Sequence, residues 1–328
     1  MQKLNDLDIE AWTVGEIKQF LISDKTDISF SDFARKQIDQ MRVDGRRKPA
    51  INYTTALNSL EKHYKKNISF SNITSKELQT WIKTLAETKR AKSMYPSHIK
   101  KLFNDGCLEY NDYDRNIIKI PNQPFKAIRI PDSDTPQKRS TDAETIRKIL
   151  GVPPELPREI LAHDVSLLVL YLAGINTVDL YNTGKTEFRN QKLCYNRSKT
   201  EKKRKDKAYM EILVNEEIWP LFKKYEGKKK LFSFSERYSD SDLFLTAVNK
   251  GLKSLCTKAG VQSITVYWLR HTWATIAQNK CGASTEQVGF CLNHASAHRI
   301  TEGYIQKDFS PVDKLNKKVL KYIFNSKL

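Results

Sequence analysis

Between Ile264 and Tyr304 the chain collects side chains suited to handling a phosphate ester. Arg270 and His271 open a helical pattern, His294 follows a short apolar run, and Tyr304 lies ten residues beyond it. A guanidinium, an imidazole and a phenol among apolar neighbours suit phosphoryl chemistry better than a metal or a nucleotide cofactor. Breaking and rejoining a phosphodiester without a metal takes a nucleophile that keeps the phosphate and cations around its non-bridging oxygens. It also takes an acid for the departing hydroxyl and exclusion of water. A tyrosine meets the first need, because its phosphoester conserves the bond energy and no ATP is consumed. One oxyanion donor typically contributes only about 2.7–4 kcal/mol, so several must cooperate.

Taken singly, each of these residues has an ordinary reading. Tyr304 is one of 14 tyrosines, and most tyrosines are amphipathic packing residues. Arg270 would usually be a surface cation, but Trp268, Leu269 and Trp273 beside it argue for a cleft in which an arginine needs an anion. His294 reads equally well as a satisfied core histidine. Their co-occurrence carries the argument.

Composition narrows the partner. Lys and Arg number 56 against 38 acidic residues, a formal charge of +18 on 328 residues. Such a field calls for a polyanion, and nucleic acid fits it better than a membrane surface. Cys107, Cys194, Cys256, Cys281 and Cys291 are odd in number and lack CxxC spacing. They read as reduced thiols of a cytoplasmic, nucleoid-associated protein, with no disulfide framework and no metal site. The N-terminus lacks the apolar core of a signal peptide, and the longest apolar run is too short to span a bilayer.

The elements that must position these groups divide into two domains. Residues 1–24 are a lead-in with one helix over Thr13–Leu21, and 25–121 form a helical domain able to clamp duplex DNA by its backbone. Within it, apolar periodicity predicts helices over Ser31–Val43 and Ala50–Tyr64. Thr74 and Glu77 have capping-box spacing ahead of Leu78, Ile82 and Leu85, and Ile99, Leu102 and Phe103 mark a further helix. The turn Arg46-Arg47-Lys48 before Pro49 could hold a phosphate or be a solvated loop. Lys92 and Lys100 fall near an exposed side. Residues 122–140 read as a linker. Residues 141–309 begin at a cap by Thr141 with Glu144, continue in a long helix over Ile160–Ala173, and supply three short strands: Thr186–Phe188, Lys192–Arg197 and Ala208–Leu213. Helices over Leu243–Ala259 and Leu269–Gln278 follow. Ser310-Pro311 opens a terminal amphipathic helix over 310–328, which could close its own core.

The second domain resembles the catalytic domain of the tyrosine recombinases, or phage-type integrases, and most closely the branch found in integrases of Bacteroidetes mobile elements. Its HxLRHTFAT-like stretch is matched by Tyr267-Trp268-Leu269-Arg270-His271-Thr272-Trp273-Ala274-Thr275, its LGH by Leu292-Asn293-His294, and its threonine and nucleophile by Thr301 and Tyr304. A hairpin RxKT is matched by Arg197-Ser198-Lys199-Thr200. The resemblance covers both domains. It implies a mainly α fold with a small antiparallel sheet, in which a helical core-binding domain precedes the tyrosine-recombinase catalytic domain. It also implies a site-specific DNA recombinase working through a 3′-phosphotyrosyl intermediate, without metal, ATP or cofactor.

By position, Tyr304 resembles the nucleophile, Arg270 the second family arginine, Lys199 the hairpin acid for the leaving 5′-oxygen, and His294 a phosphate hydrogen-bond partner. Lys199, Lys202, Lys203 and Arg204 join Arg46, Arg47, Lys48, Lys92 and Lys100 as expected DNA contacts. Two positions depart from the pattern. Asn176 stands where the first arginine of TGLRxxEL belongs, and Arg197 is the candidate replacement, two residues from Lys199 and so on the same strand face. Tyr267 stands where most members have histidine, and Asp179 takes a structural role at a helix end.

The implied partners are double-stranded DNA and further copies of the chain. The implied assembly is a tetramer on DNA joined by the terminal helix docking in trans, with an accessory DNA-bending protein as a further partner. Two readings compete: a decayed integrase that only binds DNA, and a type IB topoisomerase-like activity.

Overall fold

The computed structural model describes Thr13 and residues 28–65, 67–135, 137–295, 304 and 306–325. The chain divides into two compact units, residues 1–136 and 137–328. The expected lead-in helix over Thr13–Leu21 lies, apart from Thr13, outside the described residues, as does Thr301.

The first unit is built on helices α1 (Phe30–Val43), α2 (Arg47–Tyr64), α3 (Ser75–Thr84) and α4 (Ala91–Tyr110). Helix α1 starts where Ser29 Oγ accepts from the Asp32 amide at 3.1 Å, and it buries Phe30, Phe33, Ala34 and Ile38. Helix α2 begins earlier than its apolar pattern suggests. Arg47 and Lys48 therefore lie in its first turn rather than in a preceding loop, with Pro49 at the third helical position. Helix α3 is capped as expected, Thr74 Oγ1 accepting from the Glu77 amide at 3.3 Å. The core centres on aromatic contacts, with the Phe70 ring 5.2 Å from Phe30 and 5.3 Å from Phe103. Residues 122–128, expected in a linker, are anchored here. Asn122 Nδ2 donates to the Phe70 and Ile73 carbonyls, and Phe125 is buried against Phe103.

The second unit runs α5 (Ala143–Leu150), α6 (Pro157–Tyr171), α7 (Thr177–Asn182), β1 (Phe188–Arg189), β2 (Lys192–Asn196), β3 (Tyr209–Leu213), α8 (Trp219–Lys224), α9 (Phe234–Arg237), α10 (Ser241–Lys258), α11 (Val266–Asn279), α12 (Thr285–Cys291) and α13 (Ser310–Phe324). The strands form an antiparallel sheet in the order β1-β2-β3, with Leu193 opposite Ile212 and Tyr195 opposite Met210. The cap of α5 is Asp142, not Thr141. The Asp142 carboxylate accepts from both the amide and the hydroxyl of Thr145, whereas the Thr141 amide donates to Thr272 Oγ1. Strand β2 ends at Asn196, so Arg197 and Lys199 do not share a strand face. Arg197 turns inward while Lys199, in the following turn, is exposed.

The terminal helix α13 packs into the core of its own unit. Val312, Val319, Leu320 and Ile323 are fully buried. Asn316, on the same face, accepts from Trp273 Nε1 at 2.8 Å and donates to the Tyr171 carbonyl at 2.6 Å. Arg147 holds the Ile323 carbonyl at 2.7 Å. A buried amide with both ends satisfied ties the helix to this seat, because leaving either end unpaired costs more than an apolar contact returns.

Helices α6 and α10 pack tightly against each other at Gly251. A Cβ placed on Gly251 would lie 1.9 Å from the Arg158 carbonyl oxygen and 2.8 Å from Ala162 Cβ. Only a hydrogen fits, and the helices must separate to take a methyl. Gly251→Ala should therefore cost about 1–3 kcal/mol of stability, against the small gain an exposed helix position would give. Chemical denaturation measures this, and an unchanged midpoint would contradict the packing described.

Candidate active site

The site forms where the end of α6, the start of α11, the end of α12 and the β2–β3 hairpin meet. Arg270 lies on the stripe of α11 that also buries Leu269, Trp273, Ile276 and Ala277, and this placement draws a charged side chain inward. It is 6% exposed. Its Nη1 donates to the Gly174 carbonyl and its Nη2 to the Leu292 carbonyl, each at 2.6 Å. Burial pulls the guanidinium below its ordinary pKa, helped by Arg197, but an arginine remains charged in a protein.

The Gly174 carbonyl reaches Arg270 because α6 ends in two left-handed residues, Ala173 at φ 51° and Gly174 at φ 71°. A Cβ on Gly174 would lie 3.2 Å from both Cα and Cγ of Arg270. Glycine thus serves both the turn and the close approach. On the other side, Asn293 adopts φ 53° after α12. Asparagine tolerates this conformation better than most residues, which lets Asn293 stand where the resembled motif has glycine.

Arg197 is the second inward-facing cation. It is 9% exposed, and its Nη1 donates to the Asn293 carbonyl at 3.1 Å. Its Nε is buried without a hydrogen-bond partner. Among the described residues neither Arg197 nor Arg270 has an ion pair. Two guanidiniums satisfied only in part, and only by carbonyls, leave positive charge for an anion to balance.

His294 follows at the rim. The protein around it, and then Arg270, Arg197, Lys199 and Arg204, hold its imidazole below the ordinary 6.5. The ring is therefore neutral near pH 7 and can donate one hydrogen bond or accept one. Lys199, Lys202 and Lys203 are exposed along the hairpin turn. Tyr195, fully enclosed beneath, has its phenol pushed up by burial and by Asp179, with Arg270 and Arg197 opposing.

The remaining expected residues take different places. Asn176 caps α7 and leans toward Asp179 at 3.4 Å. Asp179 accepts from the Ser198 amide at 2.8 Å, fixing the start of the hairpin turn. Tyr267 is 45% exposed and meets His271 edge-on with ring centroids 4.8 Å apart. Tyr304 is 87% exposed, its hydroxyl outside any apolar interior.

Two expected phosphate contacts are already committed within the protein. Arg204 grips the Asp206 carboxylate with Nε and Nη2 and gives Nη1 to the Asn293 carbonyl and side-chain oxygens. Lys92 is ion-paired with Asp134. Lys100, Arg46, Arg47 and Lys48 are exposed in the first unit. Sequence reasoning passed over Asp206, whose signal is that it is the one acid in the run Lys202–Lys207.

No protein-family model matches the chain, and neither does any curated protein. Solved structures do resemble it. One is a lambda integrase tetramer bound to a Holliday junction, at a TM-score of 0.64 and 15% identity, covering 90% of this chain and 86% of that one. Another is a lambda integrase dimer bound to a COC′ core site, also at 0.64, with 14% identity over 94% and 87% of the two chains. The Tn1549 transposon integrase in complex with transposon right end DNA follows at 0.58, with 12% identity over 91% and 100%. At this identity the likeness establishes the fold alone: mainly helical with a small antiparallel sheet, as in these integrases.

The cations around His294 give a measurable consequence. Its imidazole should titrate below 6.5 in proton NMR, and Arg197→Ala should raise the midpoint by removing a like charge. A midpoint unmoved by that change would place Arg197 away from the ring.

Proposed function

We propose that the protein is a site-specific DNA recombinase that exchanges strands through a 3′-phosphotyrosyl intermediate, without a metal or ATP. The observation that carries this reading is the pair of buried guanidiniums, Arg197 and Arg270, beside His294 and Lys199. Among the described residues these two are hydrogen-bonded to carbonyls and have no ion pair. A phosphodiester is an anion of the right size and charge for that clamp.

In this mechanism the Tyr304 oxygen attacks phosphorus and the phenol's proton passes to solvent. The bond from phosphorus to the 5′-oxygen breaks, and Lys199 delivers a proton to that oxygen. Arg197 and Arg270 hold the non-bridging oxygens, with neutral His294 donating a further hydrogen bond. Arg197 thereby takes the part that Asn176 cannot, since a carboxamide brings no charge. The reverse attack by a 5′-hydroxyl restores a phosphodiester, so bond energy is kept throughout. Resemblance to the Bacteroidetes-element branch, and assembly as a tetramer on DNA, like the lambda integrase tetramer bound to a Holliday junction, belong to the same proposal. Because α13 fills its own seat, docking in trans would require copies to exchange this helix.

A decayed, DNA-binding relative is the competing reading, favoured by Asn176. A pool of nicked duplexes with randomised cores separates the two. Wild type should leave denaturant-resistant protein–DNA adducts, and Tyr304→Phe should abolish them while duplex binding persists. Arg197→Ala should slow adduct formation roughly a hundred- to a thousandfold, the usual effect of losing one oxyanion donor. Loss of DNA binding with Tyr304→Phe would make the tyrosine structural, and wild-type cleavage by Arg197→Ala would remove it from the clamp.

A further inference from the structure

Asp206 joins three parts of the catalytic unit. Its carboxylate accepts from Arg204 through both Nε and Nη2, from the Ala208 amide at 3.1 Å, and from Lys307 Nζ. Arg204 extends the linkage to the Asn293 carbonyl at 3.1 Å and the Asn293 side-chain oxygen at 2.9 Å, and Asn293 Nδ2 returns a bond to the Ala208 carbonyl at 2.6 Å. Asn293 directly precedes His294. Lys307 lies three residues beyond Tyr304. The hairpin carrying Lys199, the turn carrying His294 and the segment carrying Tyr304 therefore meet at one carboxylate.

A second anchor follows at once. Phe309 is buried between Tyr209 of β3 and Phe290 of α12, its ring centroid 5.8 Å from each. Three extended residues span at most about 11 Å, so fixing Lys307 confines Tyr304 to a short arc about the hairpin. Phe309 alone would leave two more residues of slack. The Asp206–Lys307 pair is partly sheltered, with side chains 31% and 29% exposed. That is dry enough for a charged contact with several amide and guanidinium donors to hold its geometry.

We propose that Asp206 and Lys307 form a latch that positions the tyrosine segment against the hairpin, making Asp206 and Lys307 positioning residues for strand cleavage. This rests on the recombinase reading. The latch acts through Tyr304 and Lys199 and does not touch the phosphate. Lys307, though a lysine near a DNA-handling site, is thus assigned to the protein's own carboxylate rather than to the duplex. Without the latch the nucleophile and the acid would move independently, and misplacement by about 1 Å can cost roughly a hundredfold in rate.

The test uses the full chain and the randomised nicked-duplex pool. Lys307→Met should slow adduct formation roughly ten- to a hundredfold at saturating duplex, with the dissociation constant for the pool and the melting temperature unchanged. Lys307→Arg should restore the rate. Asp206→Asn should also slow the reaction, and the double variant should be no slower than the slower single one, because both remove the same contact. A wild-type rate for Lys307→Met, failure of Lys307→Arg to rescue, or a loss of affinity that accounts for the loss of rate would each overturn the latch. Amide hydrogen exchange reads the latch without catalysis: peptides containing Tyr304 should exchange faster in Lys307→Met, and unchanged exchange overturns it. Absence of any adduct from wild type would instead count against the recombinase reading, leaving the exchange result to decide the latch.

Discussion

The guanidinium of Arg270 is buried and hydrogen-bonded to two backbone carbonyls, Gly174 and Leu292, from segments far apart in the chain. Neither carbonyl neutralises its charge, so the folded unit carries an internal positive centre that has to be supported by everything around it. The left-handed exit from α6 presents one carbonyl, and the end of α12 presents the other. The apolar stripe of α11 forces the arginine inward, with Trp273 one turn along and pinned by Asn316 of α13. The terminal helix, whose Asn316 lies 43 residues along the chain from Trp273, thus supports the helix that carries the central cation.

Around this centre the protein spends its polar groups on geometry and leaves charge unbalanced. Asn293 is the joint: its carbonyl takes bonds from Arg197 and Arg204, and its amide returns one to the hairpin. Asp179 and Asp206 fix the two ends of the hairpin turn through Ser198 and Ala208. Neither carboxylate is ion-paired with Arg197 or Arg270, and this arrangement keeps those two charges available to a ligand. Buried cations without a carboxylate are costly in an empty site. A catalytic site can carry that cost because the same charges are already oriented when the transition state forms.

Much of this was legible in the sequence, for reasons that differ by residue. Periodicity located the long helices and alternation located β2 and β3, since both follow directly from burying one face. The first strand, expected over Thr186–Phe188, is instead Phe188–Arg189 after a 3-10 turn over Lys185–Glu187. The burial of Arg270 followed from its tryptophan and leucine neighbours. Arg197 is buried in step with Leu193 and Tyr195, but the exposure of Lys199 did not follow from strand alternation, because β2 stops at Asn196 and the turn redirects the later side chains. Asp142 took the cap from Thr141 because its carboxylate meets both the amide and the hydroxyl of Thr145, a choice made by local geometry that spacing does not encode. Asp206 was hidden among lysines, and Arg204 read as a DNA contact because its partners lie 2 and 89 residues away. The seat of α13 was legible only as one of two placements, because an amphipathic face states that it must be covered, not by what.

The central claim is that Arg197 and Arg270 together form an oxyanion site. Crystals of the protein equilibrated with tungstate, a tetrahedral oxyanion located by anomalous scattering, test it most directly. The account predicts tungstate between the two guanidiniums, accepting from Arg197 Nε and lying within hydrogen-bond reach of His294. Tungstate bound only along the exposed lysines of the hairpin, with Arg197 Nε still unpartnered, would contradict it.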